Sequence, residues 1–367
     1  MDRGEIVLCV LLTVSALLFI SSAIVSIQKR PHGSADAISI WNGRARILYR
    51  AGNNAEEVFR KLKHGHPDYP LFLSGTIAGQ FQMAGHESPR IPQSISVVLA
   101  TACVGAAALA LLCWAGRKSA LIGCSILLVT PAFNKWSVSQ NSDIPLAYVA
   151  VLALLALSCA ADRQPGQIDR TVLLLTGFLV GLLVWIKDEG IVLACALLGG
   201  ALIVLVFDRE RKQRWRCVAW MIPGLAVPVL TTAVFKISWV TTSQIVQVAE
   251  GNALENFIAW DRWSSVAKAF LTEFSPIHEA RAWGFAWLAM GLLAAWRWRS
   301  LWSGSTQRLA TATVVLAWIG YFTIYLLTPQ PLDWHLRTSV QRLFLQLFPL
   351  SIAWIGALFG QGGSRSC

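Results

Sequence analysis

The sequence predicts an all-α integral membrane protein with about ten transmembrane helices, and three observations carry that prediction. Only 14% of the 367 residues are charged while 55% are hydrophobic, with mean hydropathy +0.54; a soluble domain carries roughly 25% charged residues. Apolar runs long enough to span a bilayer follow one another closely along the chain. Basic residues concentrate in alternate loops between them, as the positive-inside rule requires. The net charge of +11 therefore reads as membrane orientation rather than nucleic-acid binding. The 17 Trp residues suit interfacial belts, because indole is apolar with a single donor. The eight cysteines show no zinc or redox spacing and read as small buried residues.

The first apolar run, Ile6 to about Ile27, exceeds the roughly 7–15 residues of a signal-peptide core and is expected to stay as a span. Further spans are expected at Ser94–Ala115, Ser119–Phe133, Ile144–Ala161, Thr171–Ile186, Ile191–Phe207, Val218–Val240, Trp283–Trp296, Leu309–Leu327 and Leu343–Phe359. With a cytoplasmic N-terminus, the inside loops hold Arg117 and Lys118, then Arg163 and Arg170, then Arg209 to Arg216, then Arg297, Arg299 and Arg308. The short outside loops hold little beyond Lys135 and Lys187. Residues 1–360 are thus expected to form one membrane domain, with large outside segments at 28–93 and 241–282 and a disordered tail at 361–367. Neither a repeat nor a low-complexity tract is present.

Within the first outside segment, Ile38, Trp41, Ala45 and Leu48 recur at helical spacing, with Arg44 and Arg46 on other faces. That pattern predicts an amphipathic helix over 35–49 lying on the membrane surface. Ala55–Leu62 is expected as a second short helix, and the prolines of HGHPDYP, His64 to Pro70, predict a turn or extended stretch.

Four groups carry chemistry. Asp36 follows the first span, where a carboxylate could take a proton from a hydroxyl or cap a helix. Asp143, in NSDIPLA, offers the same two readings. Lys187, Asp188 and Glu189 interrupt two spans, and three charges there require pairing or a wet cavity; a lysine at that depth could hold a phosphate as a point charge, or the group could be a hairpin turn at Gly190. His335, Arg337 and Arg342 surround the start of the last span, where arginine either binds an anion or snorkels. Arg44, His66 and Asp68 are further candidates for substrate contact, the alternative for the last two being a plain membrane-associated turn. No Walker, Rossmann or HExxH pattern is present, nor a metal cluster of convincing spacing. All four groups fall on one face of the predicted topology.

That arrangement resembles the GT-C superfamily of polytopic glycosyltransferases, whose members include protein O-mannosyltransferases and the transferases that add aminoarabinose to lipid A. The matching features are Asp36 in ADAISIWNGRARILYR, the long first outside segment with surface helices, SDIPLA at Asp143, the KDEG turn and RLFLQLFP in the last span. The resemblance implies transfer of a sugar from a polyprenyl-phosphate carrier to a glycan, lipid or protein acceptor, with inversion, on the periplasmic or extracellular side of the cell membrane (the inner membrane of a bacterium). It implies Asp36 as general base, Lys187 and Arg342 as phosphate ligands, and Asp143 as an orienting acid. Membrane lipid is the expected environment and no cofactor is implied. Ala37 stands where protein O-mannosyltransferases carry a second acid, which speaks against a protein acceptor and a metal. A transporter or flippase of a lipid-linked or anionic substrate is the alternative. Transporters place charges at mid-membrane within repeats, whereas here they sit at span ends. A third reading is a structural subunit of an envelope-polysaccharide assembly.

Overall fold

A computed structural model of the chain describes residues 2–62, 65–162, 169–207, 211–241, 253–276 and 282–360. Arg163, Arg209, residues 242–252 and 277–281 of the second outside segment and the tail 361–367 lie outside the described residues. Within them every regular element is helical. Six helices are long and apolar enough to cross a membrane. They are α1 (Arg3–Lys29), α5 (Arg90–Ala115), α8 (Asp143–Asp162), α11 (Arg211–Ser238), α15 (Ser305–Leu327) and α16 (Leu332–Phe359). Between them lie α6 (Arg117–Val129), α7 (Pro131–Ser137), α9 (Arg170–Ile186), α10 (Gly190–Val206), α12 (Ala253–Ile258), α13 (Trp260–Phe274) and α14 (Ala286–Trp296). The first outside segment folds as α2 (Asn42–Ala51), α3 (Ala55–Lys61) and α4 (Phe72–Ala84).

Against about ten expected spans, the described residues hold six long apolar helices and three shorter ones, α9, α10 and α14. Ser119–Phe133 divides because Pro131 forces Thr130 into extended backbone, ψ 118°; α6 stops there and α7 starts with that proline. The last helix begins eleven residues earlier than its apolar run, at Leu332. Its first turns are polar because they face a cavity, so hydropathy alone places their start too late. Arg342 consequently sits inside the helix and not at its opening.

Helix α16 lies at the centre, with 89% of its apolar window buried, whereas α1 at 17% is peripheral. Around α16 pack α5, α8 and α15. Helices α9 and α11 make the most intimate pair. A Cβ on Gly177 would meet the Met221 carbonyl oxygen at 1.9 Å, and one on Gly224 would meet that of Leu174 at 1.9 Å. Gly177 and Gly181 are four residues apart, on the face where α9 touches α11, and small residues at that spacing let backbones pack directly in a lipid solvent.

The predicted surface helix forms with a shifted register. Residues Ala37–Trp41 make a π-helical turn, closed by the Asn42 N–H donating to the Ala37 carbonyl, which inserts one residue and rotates everything before it by about 100°. Ile38 therefore faces outward at 49% exposure while Ile40, at 5%, is buried beside Trp41. Arg44, expected on a polar face, is 2% exposed.

Hydrogen bonds fix which helix ends share a side. Asp2 pairs with Lys118, joining the starts of α1 and α6. Arg297 donates to the Leu358 carbonyl, joining the ends of α14 and α16. The opposite end collects the C-terminus of α1, the start of α8, the α9–α10 turn and the first half of α16.

Candidate active site

Asp36 comes off α1 through a short connector that leaves its carboxylate uncommitted to the backbone. Gly33 sits at φ +80° with the Ser139 carbonyl 2.8 Å from where a Cβ would be, so only glycine fits the turn. Ser34 then supplies the cap, its Oγ accepting from the Ala37 N–H at 3.1 Å while donating to Asn141 Oδ1 at 2.8 Å. Asp36 makes no capping bond, and its carboxylate instead accepts from Arg342 Nη1.

Asp143 opens α8 at 1% exposure. Its Oδ1 accepts from Lys187 Nζ at 3.0 Å and Gln346 Nε2 at 2.6 Å, and its Oδ2 from Arg342 Nε at 2.8 Å. Gln346 is fixed in turn by the Tyr321 hydroxyl, which donates to its Oε1 at 2.5 Å. Lys187 terminates α9 in extended backbone, φ −163°, and reaches Glu189 Oε1 at 2.7 Å. The result is one alternating chain of charge: Asp36, Arg342, Asp143, Lys187, Glu189. Burying a cation is costly unless it is paired, and each cation here lies between two carboxylates. Trp136 stacks under Arg342 at 5.7 Å and Tyr69 faces Lys187 at 6.0 Å.

This chain borders a cavity of about 340 Å³ whose wall includes Asp36, His66, Tyr69, Lys187, Glu189, His335 and Arg342, closed on one side by Thr328–Gln330. Asp143 lies behind that wall, so it orients the two cations without itself facing the cavity. His335 is held by Thr328 Oγ1 at 3.0 Å and by the Tyr325 ring. Burial holds His66 below the ordinary histidine value and raises the Tyr69 hydroxyl, whose acid neighbours push it further. Among the described residues no three His, Cys, Asp or Glu side chains form a metal-ligating group.

Asp36, Lys187, Glu189, His66, His335 and Arg342 thus converge. Besides Asp143, three other candidates do not reach the cavity. Arg337 is exposed on the outer face of α16. Arg44 is locked beneath Phe59 and Phe235, its Nη2 donating to the Tyr69 carbonyl. Asp68 is 2% exposed, with its carbonyl accepting from Lys236 at 3.0 Å. Lys236 also pairs with Asp188 at 2.8 Å. Arg44, Asp68, Lys236 and Asp188 therefore pin the loop of His66 and Tyr69 onto the α9–α10 turn. Burial pushes the Asp188 carboxyl up to about 6, against the pull of Lys236. Sequence reasoning overlooked Gln346 and Lys236, although a lone polar residue inside LFLQLFP and a lone cation in AVFKISW are signals of intramembrane pairing.

Similarity to known proteins bears on the fold. A family model described as dolichyl-phosphate-mannose-protein mannosyltransferase matches residues 68–239. ArnT from Cupriavidus metallidurans, solved bound to undecaprenyl phosphate, superimposes with TM-score 0.59 at 14% identity over 94% of this chain. The chain has the fold of ArnT. The apo form of ArnT gives TM-score 0.56 at the same identity and coverage. The chain spans 59% of the length of the ArnT chain. Comparison with curated protein sequences gives no match. With its ArnT-like fold and spanning helices, the chain is a multi-pass membrane protein.

Proposed function

We propose that this GT-C chain is a glycosyltransferase that moves a sugar from a polyprenyl-phosphate carrier to an acceptor hydroxyl on the non-cytoplasmic face, with inversion. The observation that carries the reading is the convergence of Asp36, Arg342 and Lys187 on one cavity with Asp143 fixed behind them. The carrier class is supported by the undecaprenyl phosphate bound to ArnT. The N-terminus is cytoplasmic, in line with Arg117, Lys118, Arg297, Arg299 and Arg308 all lying at the end of the bundle away from the cavity.

In this reaction the acceptor oxygen attacks the anomeric carbon, the bond from that carbon to the phosphate oxygen breaks, and the acceptor proton passes to Asp36. Asp36 is suited to this as the member of the charge chain most open to solvent, with a side chain 39% exposed. The leaving phosphate gains negative charge, which Arg342 and Lys187 stabilise. Because Arg342 grips Asp36, a phosphate arriving at Arg342 competes for the guanidinium and loosens its hold on the base. Asp143 keeps both cations aimed while this exchange happens. Asp36, Asp143, Lys187 and Glu189 stand at helix ends, which favours an enzyme over a transporter.

The test is Asp36→Asn in purified protein reconstituted with a polyprenyl-phosphate sugar, following release of polyprenyl phosphate. General-base catalysis contributes about 100- to 10,000-fold, so transfer should fall by that factor while stability falls by no more than about 1 kcal/mol. Transfer at close to the wild-type rate removes Asp36 as the base.

A further inference from the structure

We propose that a groove between α1 and the α6–α7 break is a binding site for the phosphate headgroup of an anionic membrane lipid, separate from the transfer cavity. The groove holds about 560 Å³ and is lined by Lys29, Arg30 and Lys135 above the apolar side chains of Leu18, Leu128 and Val129. The connector Gly33–Ser34 lines this groove, while Asp36, two residues on, lines the transfer cavity. The two sites are therefore neighbours across one short stretch of backbone.

Three features point to a lipid phosphate. The first is unpaired charge: among the described residues no carboxylate lies within ion-pair distance of Lys29, Arg30 or Lys135, whereas Lys187 and Arg342 are each held by two. Lys135 touches only the neutral Gln341 and the Trp136 ring. The second is depth. Helix α1 has 27 residues, about 40 Å at 1.5 Å per residue, which matches a bilayer including its headgroups. Lys29 and Arg30 thus stand at headgroup level with hydrocarbon-compatible walls below them. The third is uncommitted hydrogen-bonding capacity. Among the described residues the hydroxyls of Ser22 and Ser26 in the groove have no protein partner, and a headgroup bearing hydroxyls, as that of phosphatidylglycerol does, can bond with them.

The topology makes these cations conspicuous. Arg3 with Asp2 and Glu5 flanks one end of α1, and Lys29 with Arg30 flanks the other. Counted alone, these flanks oppose the orientation that the other loops prescribe. A helix C-terminus favours one cation through its dipole, but this does not account for Lys135, which belongs to α7.

The experiment is native mass spectrometry of delipidated full-length protein titrated with phosphatidylglycerol, phosphatidylcholine or inorganic phosphate. Wild type should retain phosphatidylglycerol preferentially, and inorganic phosphate should fail to displace it. Each cation near an anionic surface contributes about 5-fold in affinity, so replacing Lys29, Arg30 and Lys135 together with Gln should weaken retention on the order of 100-fold. Ser22→Trp fills the groove while keeping every charge, and should abolish the preference even if the triple variant folds poorly. Equal retention of the two lipids overturns the proposal, as does unchanged retention by Ser22→Trp. Full displacement by inorganic phosphate would mean that free phosphate, not a lipid, is the ligand. None of these readouts depends on sugar transfer, so the result stands apart from the fate of the proposed reaction.

Discussion

Replacing Arg342 by Lys preserves the charge but removes one direction of contact. The guanidinium reaches Asp143 through Nε at 2.8 Å and Asp36 through Nη1, two partners on different elements that one ammonium cannot serve together. Lysine should keep the buried partner, because Asp143 is 1% exposed and Asp36 39%. A charged hydrogen bond is worth about 1.5–3 kcal/mol when shielded and nearer 1 kcal/mol when water competes. Arg342→Lys should therefore lose about 1 kcal/mol of stability, and about tenfold in polyprenyl-phosphate affinity once the bidentate fork is gone. Arg342→Ala should lose about 3–5 kcal/mol, since it uncovers one oxygen of a buried carboxylate. The assay is a double-mutant cycle with Asp36→Asn, read by thermal unfolding and by binding of polyprenyl phosphate. In the Arg342→Lys background the Asp36→Asn step should cost close to nothing. Wild-type stability and affinity in Arg342→Lys, or zero coupling in the cycle, would refute the bridging role and leave a snorkelling arginine.

Gln346→Leu should lower stability by about 1–3 kcal/mol, because Asp143 and the Tyr321 hydroxyl each lose a buried partner; unchanged unfolding would show that water replaces the amide. Gly177→Leu should cost more than about 1–3 kcal/mol of ordinary overpacking, since the new side chain meets backbone at 1.9 Å; wild-type expression and melting would contradict the direct helix contact. Burial raises the Asp188 carboxyl from 3.8 to about 6, so the native state binds the proton more tightly than the unfolded chain. Stability from this group is greatest below about pH 4 and is lost as pH rises through 6. The melting temperature of wild type relative to Asp188→Asn should fall between about pH 4 and 7, and a flat difference would exclude the titration. Reporter fusions after Gly116 should read cytoplasmic and fusions within Glu56–Lys63 external; the reverse would invert the proposed orientation.

The helical membrane class was legible because burial in lipid demands long apolar runs, and α1, α5 and α8 begin or end within a few residues of where hydropathy puts them. Helix α16 shows where that logic fails. Its opening turns, DWHLRTSVQR, are helical yet polar, and only a cavity in the structure explains both. The register of the surface helix was illegible for another reason, since a single π turn changes which residues face inward while leaving composition untouched. Helix α4 went unread because FLSGTIAGQFQMA has neither a polar face nor the length of a span. Asp36, Lys187 and Arg342 could be found as charges beside apolar runs. Asp143 was found too, but its place behind the cavity depends on three donors from α9 and α16 that sequence separation hides. Arg44 misled because a buried arginine is uncommon, and its aromatic cover comes from α3 and α11.

The glycine contact between α9 and α11 has a mechanical consequence for the cavity. With their backbones touching, the two helices can neither slide nor separate without losing that fit, so they behave as a slab. Lys187 and Glu189 stand at the upper edge of this slab, and Lys236 braces them from its far side. That half of the cavity is a fixed wall. The opposite half hangs on Thr328–Gln330, a connector carrying Pro329 and followed by Pro331, and on the solvent-facing first turns of α16. On the proposed function, room for a bulky lipid-linked sugar comes from displacing the connector, and the cationic wall meets it already in position.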